Sequence, residues 1–330
     1  MDKRNFWIGA PVLVLSLMGE SALASNDPVV RAILEDSQGG KTTQALSCAL
    51  LEKVSQKGKA SEKKVLRDRI AALMREGDAE MYRARGDASR LGLYGFKKNE
   101  AQALQMYVKA ATLEKPSSEA GYNAALMMFR AARERPDQGT ARRILDILQK
   151  SGATSYNVKN KGIVQAHYIA ARIQEQGFAG TKDMTGAYRH YRAAARGQHV
   201  ESVYHYMRML ASSLGQISEA ERAPLVTEMR MMSNQWKWSS VDVMRLTGDL
   251  HAGGWFPDEG GFQAQYHWRI AAGMEGVSAR PDHVAALQTR VRPLSSPAAE
   301  KRLEQAVAAA MKSNMFRPGK KTLEFSDLCS

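Results

Sequence analysis

Seven histidines, two cysteines and a few serine, lysine and tryptophan groupings are the residues of this chain whose chemistry could exceed packing. A zinc site would show as His-Glu-x-x-His or as closely spaced Cys and His ligands, and neither pattern is present. His199 and His205 do not share a helical face well, and His167, His190 and His267 fall inside helical stretches. No metal and no other cofactor is expected. Ser61-x-x-Lys64 has the form of a serine acylase tetrad, but the Ser-Asp-Asn and Lys-Thr-Gly companions are absent. There is no G-x-x-x-x-G-K-[ST] phosphate loop, and no G-x-G-x-x-G following a strand. The expectation is a protein without catalytic activity.

Three groupings invite a binding role instead. Trp236 and Trp238 flank Lys237, a cluster that could stack sugars or bases and that reads equally as core plus one exposed ring. Trp255-Phe256 falls on a predicted loop, where packing explains an aromatic pair less easily, so it is the first candidate for a partner contact. Lys63, Lys64 and Arg67 lie in a stretch, Lys53 to Arg69, holding seven basic residues against Glu62 and Asp68. That face is either the solvated side of a capping helix or a docking patch for an anionic surface.

The elements that must position these residues are helices. Glu100-Ala101-x-Ala103-Leu104-x-x-Tyr107-x-x-Ala110-Ala111 follows Leu91-Gly92-x-Tyr94 and a short polar loop. A second copy holds Ala170-Ala171, Gly177, Gly180 and Asp183, then Ala187-Tyr188-x-x-Tyr191-x-x-Ala194-Ala195-x-Gly197. A third holds Leu246-x-Gly248, Gly253-Gly254 and Asp258, then Ala264-x-x-x-Trp268-x-x-Ala271-Ala272-Gly273. Two degenerate copies stand between them, around Ala124 to Leu148 and Tyr204 to Met232. Ala110, Leu148, Ala194, Met231 and Ala271, taken as equivalent, recur at intervals of 38, 46, 37 and 40 residues. Spacing near that length marks stacked helix pairs. In each clear copy the small residues and the aromatic share one helical face, so two helices can approach closely with the ring filling the gap. Loop glycines supply the positive φ a tight turn needs, Asp183 and Asp258 can cap the next helix, and Ser218-x-x-Glu221 is a capping box.

These motifs resemble the SEL-one-like repeat, a relative of the tetratricopeptide repeat, over roughly Met81 to Val277. Its pattern joins an Ala/Leu-Gly-x-x-Tyr first helix, through a Gly-rich loop and an Asp, to an Ala-x-x-Trp/Tyr-x-x-Ala-Ala second helix. Phe96-Lys97-Lys98-Asn99 departs from it by lacking the loop glycines. The resemblance implies an all-α solenoid of about five antiparallel helix pairs that presents a concave face to other proteins, and it implies no reaction. Such proteins serve secretion machines, exopolysaccharide export, pilus or motor assembly, or repression of a sensor kinase. A secreted group linked to β-lactams pairs cysteines in every repeat, which this chain does not.

The N-terminus carries an address. Lys3 and Arg4 precede an apolar run from Phe6 to Met18, and Ala22-Leu23-Ala24 is a small-x-small cleavage site, so residues 1–24 read as a secretory signal peptide cut after Ala24. The run falls short of the ~20 residues a spanning helix needs. The expected location is a bacterial periplasm, with secretion as the alternative. Residues 25–80 then read as a basic helical cap, 81–277 as the repeats, 278–313 as capping helices with Pro297 at a first-turn position, and 314–330 as an extended basic tail. Cys48 and Cys329 could pair in an oxidising compartment, within one chain or between two. With 47 Lys and Arg against 34 Asp and Glu the chain carries +13. The expected partner is an envelope or secretion-machinery protein; an acidic polymer such as polysaccharide, peptidoglycan or extracellular DNA is the rival that the charge suggests.

Overall fold

In the computed structural model of this chain, every regular element among the described residues is helical: thirteen α-helices and one short 3-10 turn, with no strand. The described residues are 54, 57–156, 163–274, 281–313 and 323–325. The expected leader, Cys48, Cys329 and most of the expected tail lie outside them. In order the helices are α1 (Ala60–Arg75), α2 (Ala79–Leu91), α3 (Glu100–Ala111), α4 (Ser118–Ala131), α5 (Gln138–Lys150), α6 (Val164–Gln176) and α7 (Met184–Arg196). They continue as α8 (Val200–Ser213), α9 (Glu219–Trp236), α10 (Val241–Ala252), α11 (Phe262–Gly273), α12 (Pro281–Arg290) and α13 (Pro297–Lys312). From α2 to α11 they fall into five successive pairs, so the all-α repeat of helix hairpins is the architecture the chain adopts. Two compact units divide it: residues 1–127, 146–152 and 325–330 in the first, and residues 128–145 and 153–324 in the second.

In the first unit α1 lays Leu66, Ile70 and Leu73 against Met81, Ala84 and Ala88 of α2, with Tyr94 closing the cluster. Their spacing on α1 is that of one helical stripe. Asp78 caps α2, accepting from the amides of Glu80 and Met81. The helix stops at Gly92, whose φ of 76° is a left-handed conformation glycine adopts without strain. Asn99 then caps α3 by accepting from the Gln102 amide. The loop glycines missing from Phe96 to Asn99 are supplied just before it: the positive φ values fall on Gly92, Tyr94 and Gly95.

In the second unit one core joins Tyr168, Ala187, Tyr191, Val203, Met207, Leu210, Met229, Val243 and Phe256, and another joins Met244, Ile270, Ala271, Leu287 and Ala310. That second core gathers α10 to α13. Asp183 caps α7 through the Gly186 amide, and Asp258 accepts from the Gln263 and Ala264 amides at the start of α11. Ser218 and Glu221 form the capping box of α9, and Ser296 with Pro297 opens α13. One register differs from expectation. Met231, taken as the buried repeat position of α9, is 69% exposed, while Met229 and Ser233 face inward. Met229, Ser233 and the half-buried Trp236 continue the inward stripe at helical steps, and Met231 falls off it.

The hairpins close to backbone contact at two glycines. A Cβ placed on Gly86 would stand 2.5 Å from Cε1 of Tyr107, and one on Gly248 would stand 2.5 Å from Cδ1 of Trp268. Both rings lie flat against the preceding helix because no side chain holds it off. Gly86→Val or Gly248→Val should therefore lower stability by about 1–3 kcal/mol through overpacking, whereas Gly215→Ala, which meets nothing within 4 Å, should leave it nearly unchanged in urea melts.

Candidate functional site

The aromatic that closes each clear hairpin also makes a polar contact. Tyr107 Oη of α3 donates to Asp87 Oδ1 of α2 at 2.5 Å, and Arg90 Nε reaches the same hydroxyl at 3.2 Å. Tyr191 Oη of α7 donates to Glu175 Oε2 of α6 at 2.7 Å. Trp268 Nε1 of α11 donates to Asp249 Oδ1 of α10 at 3.0 Å. An arginine completes the second and third contacts: Arg208 pairs with Glu175, and Arg290 Nε with Asp249 Oδ1 at 2.9 Å. Burial, the nearby carboxylate charge and its hydrogen bond hold the Tyr107 and Tyr191 hydroxyls protonated well above the usual phenol range. A phenol held protonated against a carboxylate of the facing helix fastens the two helices together.

Glu175 is the most constrained of the three carboxylates. Burial would raise it, but the His205 ring 3.4 Å away, the hydrogen bond from Tyr191 and the charge of Arg208 outweigh that and bring it down to about 2. His205 is pushed down by burial against the pull of Glu175. A second histidine cluster sits on the same hairpin: His190 Nδ1 lies 2.8 Å from His167 Nδ1 and 2.6 Å from Tyr156 Oη. Burial and the neighbouring His167 pull His190 down to about 4, so it is neutral at ordinary pH. Among the described residues no group of three or more His, Cys, Asp or Glu is placed to hold a metal ion.

A cavity of about 450 Å³ opens in the first unit between α1, α2 and the loop that follows α2. One stripe of α1 lines it, Arg67, Ile70, Ala71, Met74 and Arg75, together with Tyr82 and Arg85 of α2 and Phe96. Arg85 lays its guanidinium over the Phe96 ring, 3.6 Å from the centroid, and donates to Ser89 Oγ. Arg67 Nη1 donates to the Tyr94 carbonyl at 2.9 Å. Elsewhere in the fold Arg83, Arg208, Arg245, Arg269 and Arg290 each face a carboxylate. No carboxylate among the described residues pairs with Arg67, Arg75 or Arg85, and the one at the cavity, Asp68, is held by Lys64 at 2.7 Å.

The residues singled out from sequence are thus dispersed. Lys64 is exposed and tied to Asp68, Lys63 is half-buried, and Arg67 does not point away into solvent as expected but turns to the Tyr94 carbonyl at the cavity wall. Trp236 and Trp238 pack against different cores and form no common platform. Phe256 is 3% exposed and belongs to the core, so it cannot meet a partner; a loop in a tight hairpin still sends one ring inward. Trp255 is half-buried beside it, with Arg222 5.1 Å from the ring centroid. Sequence reasoning missed Arg75, Arg85 and the three fastening carboxylates. The signal for two of the carboxylates was present as Gly86-Asp87 and Gly248-Asp249, a glycine that admits the ring followed by the acid that holds it.

No protein-family model matches the chain, and no curated protein matches it significantly. Among solved structures it is similar to a protective antigen present in uropathogenic Escherichia coli strains and described as displaying an SLR fold, at 17% identity over 88% of this chain and 68% of that one, with a TM-score of 0.40. No helix among the described residues is long and apolar enough to cross a membrane.

Two outcomes are expected. A carboxylate whose folded-state pKa is depressed contributes stability above its unfolded value and loses it as pH falls toward the folded one. The Glu175 contribution should fade between about pH 5 and pH 2, and Glu175→Gln, already less stable at pH 7, should show a flatter acid limb in thermal melts. Phe256→Ala should cost about 3–5 kcal/mol as a core truncation, and Trp255→Ala clearly less, in denaturant melts of the two variants.

Proposed function

We propose that the chain is a non-catalytic interaction scaffold that acts in the bacterial periplasm on an envelope assembly, such as a secretion system, an exopolysaccharide exporter, a pilus or a motor. The observation that carries the reading is the use of polar groups inside the hairpins. The Asp87–Tyr107, Glu175–Tyr191 and Asp249–Trp268 contacts commit these acids and their aromatic donors to holding helices together. What remains for partners is helix surface and loops, the working surface of stacked helix pairs. The export half of the proposal rests on the leader pattern of residues 1–24.

Direct binding of an acidic polymer is the second reading, favoured by the +13 charge. The two separate by salt. Capture of the tagged full chain from cross-linked periplasm should retain a small set of envelope proteins at high salt. Recovery of polysaccharide or nucleic acid only, lost as salt rises, would overturn the scaffold in favour of the polymer. A protein found only in the cytoplasm would end the periplasmic part.

A further inference from the structure

Three guanidiniums line one cavity, Arg67 and Arg85 half-buried and Arg75 exposed, and none has a carboxylate partner among the described residues, so an anion from outside would meet unneutralised charge there. We propose that the cavity between α1 and α2 is a binding site for an acidic residue and its apolar neighbour on a peptide segment of a partner protein, received by Arg67, Arg75 and Arg85.

The charge is unspent. A guanidinium offers five N–H donors, and the protein uses one of them on Arg67 and one on Arg85. Those two bonds and the Phe96 stack hold the guanidiniums in place before any ligand arrives, which reduces the ordering cost of binding. Burial leaves the Arg85 cation less well solvated than a surface arginine, so a carboxylate there replaces solvation the fold has removed. Asp68 is the one carboxylate at the wall, and Lys64 already holds it.

The walls give the rest of the ligand. Ala71, Met74 and Phe96 give the wall an accessible apolar surface among the arginines, over the buried Ile70, which suits an aliphatic or aromatic side chain beside the acid. At about 450 Å³ the space exceeds what a lone inorganic anion fills and falls in the range of pockets that take small organic groups. It holds one or two side chains, whereas an acidic polysaccharide or nucleic acid would need an extended basic track. This site rests on the scaffold reading for the source of the peptide, but its chemistry can be tested apart from it.

The test is fluorescence anisotropy of the untagged full chain with a labelled hexapeptide that alternates glutamate and leucine. Its glutamine counterpart, an all-glutamate peptide and alginate serve as competitors. The glutamate–leucine peptide should bind, with the glutamine and all-glutamate peptides at least about tenfold weaker. Arg75→Gln, which disturbs no internal contact, should weaken binding several-fold, and Arg75→Gln with Arg85→Gln by tenfold or more; melting curves check that the double variant is folded. Arg302→Gln, an exposed charge on α13, should change nothing.

Equal binding of the glutamine peptide, or unchanged affinity in the Arg75 and Arg85 variants, would overturn the proposal. A loss with Arg302→Gln equal to that with Arg75→Gln would overturn it as well, by showing diffuse attraction. Alginate binding tighter than the peptide with the same arginine dependence would replace the peptide by a polymer. If pocket variants lose the peptide yet the chain captures no envelope protein, the scaffold reading fails and the site stands; if they retain it while envelope proteins are captured, the site fails and the scaffold stands.

Discussion

The structure depends on how closely two helices of a hairpin can lie. Gly86 and Gly248 remove the side chain that would keep Tyr107 and Trp268 away, and the alanines at 103, 110 and 111 or 264 and 271 do the same from the other side. Close approach buries the Tyr107 ring and half-buries that of Trp268, and a hydroxyl or indole N–H so withdrawn from water must find an acceptor. Asp87 and Asp249, one residue after each glycine, are that acceptor. Packing and polar satisfaction are therefore one constraint. Loss of the acid would strand a donor, and loss of the glycine would push the ring off its acid.

The middle hairpin meets the same constraint with different parts. Ala171 and Ala187 stand in the contact, and the acceptor is Glu175, a longer side chain placed nearer the end of its helix. Its environment is richer, with His205, Arg208 and Tyr191 around a single carboxylate. That concentration is what holds the Glu175 carboxyl far below its ordinary range while burial keeps His205 neutral. In these contacts Tyr107 and Tyr191 stay protonated and Glu175 stays ionised.

The first helix treats charge differently from the rest of its unit. The unit's hairpin acid, Asp87, and its Arg83–Glu80 pair follow the pattern of the second unit, whereas α1 supplies a run of basic residues with few acids in reach. Part of that run is neutralised at the surface by the Lys64–Asp68 pair, and part is turned inward at the cavity wall. An inward cation without a partner is costly to retain unless something binds it. Phe96 and the Tyr94 carbonyl offset some of that cost by giving Arg85 and Arg67 a face and an acceptor.

Residue types and spacing determined the helices, their pairing near a 40-residue interval, and the caps at Asp183, Ser218 and Asp258, because periodicity and capping are local and a helix reports its buried face every three or four residues. The exposed Met231 shows the limit of that reading: within a weakly amphipathic helix, two residues of register carry little signal until neighbours decide it. Only the tertiary structure showed that Phe256 is core and that Trp236 and Trp238 serve separate cores. It also brought Arg67 of one helix, Arg85 of the next and Phe96 of a loop around a single cavity. The reason is the same for each. Which side of a loop a ring takes, and which charges share a cavity, depend on contacts between segments that no local pattern encodes.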